Sequence, residues 1–146
     1  MAIADADLSQ AGRAKAVLGG KADIYRDYRK LLERDDIDAV INGTPDHWHT
    51  SVCVDTCRAG KDIYTEKPMT LTIDEGKILV NEIRRHDKVF QTSSEDRAVP
   101  VYHRRAELVR NGGMGRLERI EVVLPRQPQG PCDPTPQPVP EALDYE

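Results

Sequence analysis

The sequence lacks the features that mark membrane proteins and nucleic-acid-binding proteins. No apolar run approaches the ~20 residues that a membrane-spanning helix needs, and acidic residues interrupt the first segment, where an export signal would stand. Asp and Glu (25) outnumber Lys and Arg (21), and the net charge of −4 leaves no positive excess to attract nucleic acid. We therefore expect neither a membrane nor a nucleic acid as partner. We expect a cytoplasmic location, and an export signal upstream of Met1 would change that expectation.

The chain is also poor in cysteine, and the spacing of its metal-binding residue types predicts no metal site. There are three cysteines, and Cys53 and Cys57 lie four residues apart, on one face of a predicted helix. This spacing fits neither a CxxC redox pair nor a zinc-binding pattern. His47 and His49 are two residues apart with no third ligand in sight. We expect the cysteines to be small packing residues and the protein to hold no metal.

Predicted strands and helices alternate along the first 124 residues, with glycines, prolines and capping residues at their ends. The predicted helices are 9–17, 28–34, 50–59, 72–86 and 99–110, and the predicted strands are 2–5, 37–42, 62–65, 89–92 and 117–124. Alternation at these short spacings predicts a mostly parallel sheet with right-handed crossovers. The sequence therefore predicts a doubly wound α/β domain.

The composition changes sharply after Leu124. Seven of the ten prolines fall between Pro125 and Pro140. A tract with so many prolines cannot build a packed core and is typical of an extended linker or loop.

Lys67 is the first candidate for a functional residue, because it follows the predicted strand 62–65 between Glu66 and Pro68. Ligands of open α/β sheets bind at the carboxyl ends of strands. A lysine there can act as a general acid or base if burial or a nearby charge moves its pKa toward neutrality. Alternatively, Lys67 is an exposed lysine at a strand end, paired with Glu66.

A second polar cluster, Thr44-Pro45-Asp46-His47-Trp48-His49, follows the preceding strand. Its imidazoles and indole are suited to line a pocket for a flat ring or a polyol. The same residues also fit an ordinary helix N-terminus, with Asp46 as the cap and Trp48 packed on the edge of the sheet.

Asp5 and Arg97 are two further candidates, each at or just beyond the end of a predicted strand. A carboxylate at the end of the second strand of a dinucleotide fold accepts hydrogen bonds from the adenosine ribose and repels a 2′-phosphate. Asp5 stands at such a strand end, but it is also a common turn residue, and Asp7 competes for the role. Arg97 follows the strand 89–92 and can neutralise an anionic group or be solvated.

Taken together, these segments resemble the Gfo/Idh/MocA family of NAD(P)-dependent oxidoreductases, which act on sugars, polyols and similar substrates. The matching runs are Ala2-Ile3-Ala4-Asp5, Asp27-Tyr28-Arg29-Lys30-Leu31-Leu32, Ile37-Asp38-Ala39-Val40, Thr44 to His49, Ala59-Gly60-Lys61-Asp62, Glu66-Lys67-Pro68 and Gly115-Arg116-Leu117. They cover about residues 2 to 124. The resemblance implies a Rossmann-type cofactor domain.

The resemblance also implies roles for individual residues. Lys67 is the expected catalytic residue, because the lysine of the family's EKP motif contacts nicotinamide and substrate and assists proton transfer. Asp5 matches the carboxylate of the adenosine ribose. The residues expected to bind the cofactor are Asp5, Thr44, Pro45, His47, His49, Glu66, Lys67, Pro68 and Arg97.

Two departures from the family pattern limit the resemblance. The G-x-G-x-x-G turn that holds the pyrophosphate is missing, as is the strand before it. Most of the substrate domain is missing as well. We expect residues 1–116 to be a partial dinucleotide-binding domain and residues 117–146 to be the start of a truncated C-terminal α/β substrate domain with a proline-rich loop. The loss of a central strand predicts self-association of this chain, and we expect the complete protein to form homo-oligomers.

The function that the resemblance implies is hydride transfer between NAD(P) and a sugar, polyol or related hydroxy compound. Asp5 favours NAD over NADP, because no basic residue directly follows it. Two alternatives stay open: an NAD-dependent glycosidase on the same scaffold, and a non-catalytic dinucleotide-binding module.

Overall fold

The computed structural model describes residues 1–124, 130, 135–136 and 138–143. Among these, strands and helices alternate as the sequence predicts. The strands are β1 (Ala2–Ala4), β2 (Asp23–Tyr25), β3 (Ala39–Asn42), β4 (Asp62–Thr65) and β5 (Phe90–Thr92), and the helices are α1 (Leu8–Val17), α2 (Tyr28–Leu32), α3 (His49–Arg58), α4 (Ile73–His86) and α5 (Pro100–Arg110). Short 3₁₀ helices cover Asp46–Trp48 and Glu95–Arg97. None of the described helices is long and apolar enough to cross a membrane.

The strands form two parallel sheets rather than one. β1 pairs with β2, and β3, β4 and β5 pair in that order. The strand β2 was missed in the sequence because its three residues are too few to show a pattern of alternation. The predicted strand 117–124 does not form: these residues are exposed and have no regular secondary structure.

The chain divides into two compact units, one of residues 1–93 with 139–146 and the other of residues 94–138. The first contains both sheets and helices α1 to α4, while the second contains α5. The described part of the proline-rich tract, residues 130, 135–136 and 138–140, has no helix or strand. The rest of that tract lies outside the described residues, and the division into a cofactor domain and a truncated substrate domain remains a prediction.

The core of the first unit lies between the β3–β4–β5 sheet and the helices α3 and α4. Cys53, Val54, Cys57, Ile63 and Leu79 form one buried cluster, with Met69, Ile83 and Phe90 packed against it. α4 begins with a capping box, because Thr72 accepts from the N–H of Glu75 and Glu75 accepts from the N–H of Thr72. The two cysteines are free and buried, as their spacing suggested.

A buried lysine joins β4 to the segment before β3. Lys61 Nζ donates to the carbonyl oxygens of Arg34 (2.6 Å) and Ile37 (2.9 Å). The side chain is buried, so these two bonds satisfy a charge that would otherwise be costly to remove from water. They fix the loop between α2 and β3 against the start of β4.

Leu79 is expected to be the most sensitive position of α4. It is fully buried (0% exposed), whereas Ile73 on the same helix is 82% exposed. Leu79→Ala should lower the free energy of unfolding by about 2–4 kcal/mol, because it removes buried methyl groups and leaves a cavity. Ile73→Ala, the matched control, should change it by less than about 0.5 kcal/mol. Urea denaturation of both variants measures the difference, and equal losses would contradict the assignment of the core.

We expect the chain to self-associate through the open face and edges of its sheets. Ile41 in β3 is 81% exposed, and parallel sheets are normally covered on both faces. Ile41→Lys should lower the mass measured by light scattering, because a charge on an open strand opposes pairing with another chain. Val17→Lys adds the same charge at an exposed apolar position of α1 and should leave the mass unchanged. Equal effects of the two variants would mean that association does not use β3.

Candidate functional site

The carboxyl ends of β3, β4 and β5 lie side by side, and most of the predicted site residues follow them. The last residues of these strands are in register, with Asn42 opposite Thr65 and Thr65 opposite Thr92. The pairing continues one residue further, since Glu66 N–H donates to Asn42 O (2.9 Å) and Ser93 N–H donates to Thr65 O (2.7 Å). The loops that carry Thr44 and Lys67 therefore leave the sheet at one edge, where ligands of open α/β sheets bind.

Asn42 shapes the loop after β3, and no sequence pattern singled it out. It is 2% exposed. Its Oδ1 accepts from the N–H (3.2 Å) and hydroxyl (2.8 Å) of Thr44, and its Nδ2 donates to His49 O and Cys53 Sγ, both at 3.3 Å. A polar residue that ends a strand is an ambiguous signal, because the same residue type is common in exposed turns.

His49 joins the loops after β3 and β4. Its Nδ1 lies 2.5 Å from Pro68 O and its Nε2 lies 2.7 Å from Thr44 O. The ring is 1% exposed, so both nitrogens are engaged by backbone within the protein. His47, two residues earlier, is exposed and lies beside Trp48, with ring centroids 6.4 Å apart.

Lys67 and Pro68 are exposed, and Glu66 is half-buried. Glu66 Oε2 accepts from the N–H of Lys67 at 3.3 Å, and the Lys67–Pro68 peptide bond is cis. Within the described part of the chain, no carboxylate pairs with the Lys67 ammonium, which contrasts with the alternative of a Lys67–Glu66 ion pair. The ammonium is therefore available to a bound ligand.

Asp5 and Asp7 have different roles in the structure. Asp7 caps α1, because its carboxylate accepts from the N–H (2.8 Å) and hydroxyl (2.6 Å) of Ser9, and these bonds lower its pKa. Asp5 accepts from the N–H of Asp7 through Oδ1 only (2.8 Å). Its Oδ2 has no partner among the described residues, so Asp5 is the carboxylate that can accept a ribose hydroxyl. It follows β1, in the two-stranded sheet, apart from the cluster on β3 and β4.

Arg97 lies in the 3₁₀ helix Glu95–Arg97 of the second unit and is exposed. The structure therefore brings together Thr44, Pro45, His49, Glu66, Lys67 and Pro68, with His47 nearby in sequence on the surface. Asp5 follows β1 in the other sheet and is not part of this group. No described group of three or more His, Cys, Asp or Glu side chains is arranged to hold a metal ion.

An aromatic contact supports the turn that precedes His49. The ring of Trp48 meets that of Tyr28 edge-on, with centroids 6.4 Å apart, and the Arg29 guanidinium lies 4.9 Å from the Tyr28 centroid. The Tyr28 hydroxyl donates to Asp55 in α3 at 2.7 Å. This contact ties α2 to the start and middle of α3.

The residues that are present fit two parts of a nicotinamide dinucleotide. The free oxygen of Asp5 suits a ribose. Thr44 and Glu66, which are half-buried, and Pro45, Lys67 and Pro68, which are exposed, provide a polar strand-end surface for the other end. The sequence has no G-x-G-x-x-G turn for the pyrophosphate.

The family model for oxidoreductases of the Gfo/Idh/MocA type, with an NAD-binding Rossmann fold, matches residues 1–94. These are 94 of 146 residues, so the chain belongs to this family. The resemblance seen in the sequence is thereby confirmed, and so is the predicted α/β fold with parallel sheets.

Solved structures of dehydrogenases are similar in fold. Myo-inositol 2-dehydrogenase from Lactobacillus plantarum is 26% identical, with a TM-score of 0.72 over 80% of this chain and 34% of that one. Scyllo-inositol dehydrogenase from Lactobacillus casei, with bound NAD(H) and scyllo-inositol, is 27% identical, with a TM-score of 0.71 over 79% of this chain and 34% of that one. The chain thus spans about a third of the length of these relatives.

Curated relatives include an alpha-N-acetylgalactosaminidase from Shewanella oneidensis. It is 43% identical over 61 residues, which are 42% of this chain and 13% of that protein. A glycosyl hydrolase family 109 protein from Shewanella sp. (strain ANA-3) is 46% identical over a match of the same length. The chain therefore covers only a small part of these relatives.

The Tyr28 hydroxyl is expected to lose its proton at a higher pH than an ordinary tyrosine. Burial, and after it the hydrogen bond to Asp55, raise the pKa of Tyr28 to about 12. Absorbance of the tyrosinate should show a step near pH 12 that Tyr28→Phe removes and Tyr102→Phe leaves in place. Since the folded state holds this proton more tightly than the unfolded state, Tyr28 should lower stability as pH rises from about 10 to about 12. A titration in which Tyr28→Phe changes nothing would contradict the contact.

Proposed function

We propose that this chain is part of the cofactor-binding domain of a dehydrogenase that transfers a hydride between NAD and a sugar, polyol or related hydroxy compound. The observation that carries the proposal is the joining of the loops after β3 and β4 at one sheet edge. Thr44, Glu66 and Lys67 stand on these loops. Family membership and the inositol dehydrogenase likeness support the reaction type and the substrate class.

Lys67 is the proposed acid–base residue. A bound nicotinamide would supply the acceptor for a hydride from the carbinol carbon. The exposed side chain of Lys67 lies just beyond the carboxyl end of β4, and its neutral amine would accept the hydroxyl proton of the substrate through Nζ. Glu66, bonded to the backbone of Lys67, orients the turn.

Asp5 is the proposed contact to the adenosine ribose. One of its oxygens is held by the N–H of Asp7, and the other has no described partner. An acceptor in this place bonds a ribose hydroxyl and repels a 2′-phosphate, which favours NAD over NADP. His47, Pro45 and Pro68 would complete the surface on the nicotinamide side, and Arg97 would neutralise an anionic group.

Lys67 is tested in the complete dehydrogenase of which we propose this chain to be a part. In that protein Lys67→Ala should lower turnover by about 10²–10⁴-fold, because proton transfer loses its catalyst. Affinity for NADH, measured by fluorescence titration, should stay within about threefold, since the cofactor is held mainly by other residues. Lys77→Ala, on an exposed position of α4, is the control and should behave like the parent. Unchanged turnover in Lys67→Ala would remove Lys67 from the mechanism.

An NAD-dependent glycosidase is the second candidate, and the 61-residue match to an alpha-N-acetylgalactosaminidase favours it. On this scaffold a transient oxidation would labilise the glycosidic bond, and the cofactor would be regenerated. Release of an aglycone from aryl glycosides without net formation of NADH would support this function. Steady accumulation of NADH with free polyols would support the dehydrogenase. Cofactor binding with neither product would leave a non-catalytic binding module.

A further inference from the structure

His49 is buried at the start of α3, between the two loops that carry the proposed site. Its side chain is among the largest that the structure buries almost completely. The helix holds the backbone of His49 in place, because Val52 and Cys53 in the next turn are buried and His49 O accepts from Asn42 Nδ2. The ring is therefore carried by a segment that the core of the protein positions.

The two carbonyl groups that face the ring belong to proline-containing loops. Thr44 precedes Pro45, and Pro68 contributes its own carbonyl, so each loop has lost one N–H donor. In the part of the chain that the structure describes, no donor other than His49 reaches Thr44 O or Pro68 O. A carbonyl that is withdrawn from water without a partner costs free energy, and the ring nitrogens of His49 are the partners that face these two part-buried carbonyls.

We propose that His49 is a positioning residue that ties the loop after β3 to the loop after β4, one through each ring nitrogen. Nε2 holds Thr44 O at 2.7 Å and Nδ1 holds Pro68 O at 2.5 Å. The distance between Thr44 and the Lys67–Pro68 turn is then set by the width of an imidazole. The importance of this spacing for catalysis rests on the proposed function, but the two contacts of His49 are present in the chain without any ligand.

Substitutions of His49 can remove one of its two hydrogen bonds and keep the other. Each carbonyl oxygen faces a different nitrogen of the ring, Thr44 O at Nε2 and Pro68 O at Nδ1. The amide nitrogen of asparagine occupies the place of Nδ1, and that of glutamine occupies the place of Nε2. His49→Asn therefore keeps the bond to Pro68 and loses the bond to Thr44, whereas His49→Gln does the reverse.

Hydrogen–deuterium exchange of this chain, read by mass spectrometry, tests the tie without cofactor or substrate. Peptides covering 43–48 and 66–71 report the two loops, and the helix 73–86 is the internal reference. In His49→Asn, exchange in 43–48 should rise about fivefold to tenfold with 66–71 little changed, as expected for the loss of one hydrogen bond. In His49→Gln, the rise should be in 66–71. The method tolerates self-association of the sample.

His103→Asn is the matched control, because His103 is exposed and lies on α5, away from both loops in sequence. It should leave both loops at the rates of the unchanged chain. The proposal is overturned if either His49 variant leaves both loops unchanged, or if both variants speed exchange equally in the two loops and in the helix 73–86, which would indicate general destabilisation. Because no outcome depends on turnover, a failure of the tie is distinct from a failure of the proposed function.

Discussion

The packing of α3 and α4 against one face of the β3–β4–β5 sheet is the interaction on which the rest of the structure depends. Ile63, in the middle strand, is buried against Leu79 of α4 and the cysteines of α3. Because β4 is paired along both edges, its carboxyl end cannot move independently of the sheet. The same burial fixes the start of α3, and with it the His49 ring. A hydrophobic interaction thus determines the position of polar groups that are themselves mostly at the surface.

Much of the fold could be predicted because its signals are local. The strand Asp62–Thr65 is confirmed as predicted, since a short apolar run depends on neighbouring residues alone. The predicted strand 117–124 is wrong for the opposite reason: alternation marks a strand only where another strand pairs with it.

The location of the candidate site could be predicted from the sequence, but the contacts between its residues could not. Two polar clusters after successive strands indicate one edge of a parallel sheet, and the register of β3 and β4 puts their ends together. The role of a ring such as His49 depends on which carbonyl groups reach it, and Pro68 O lies 19 residues away in sequence. Asn42 was missed for the same reason, since its four hydrogen bonds are made by the folded loop.

The burial of Lys61 makes its side chain a reporter of the folded state. Its ammonium is enclosed by two backbone carbonyls, and the peptide bond that follows it leads directly into the central strand β4. A side chain in that state is withheld from trypsin and from amine-reactive reagents as long as the fold is intact. Lys61 is therefore an internal marker of integrity: it should become cleavable or acylated only in molecules whose sheet has opened.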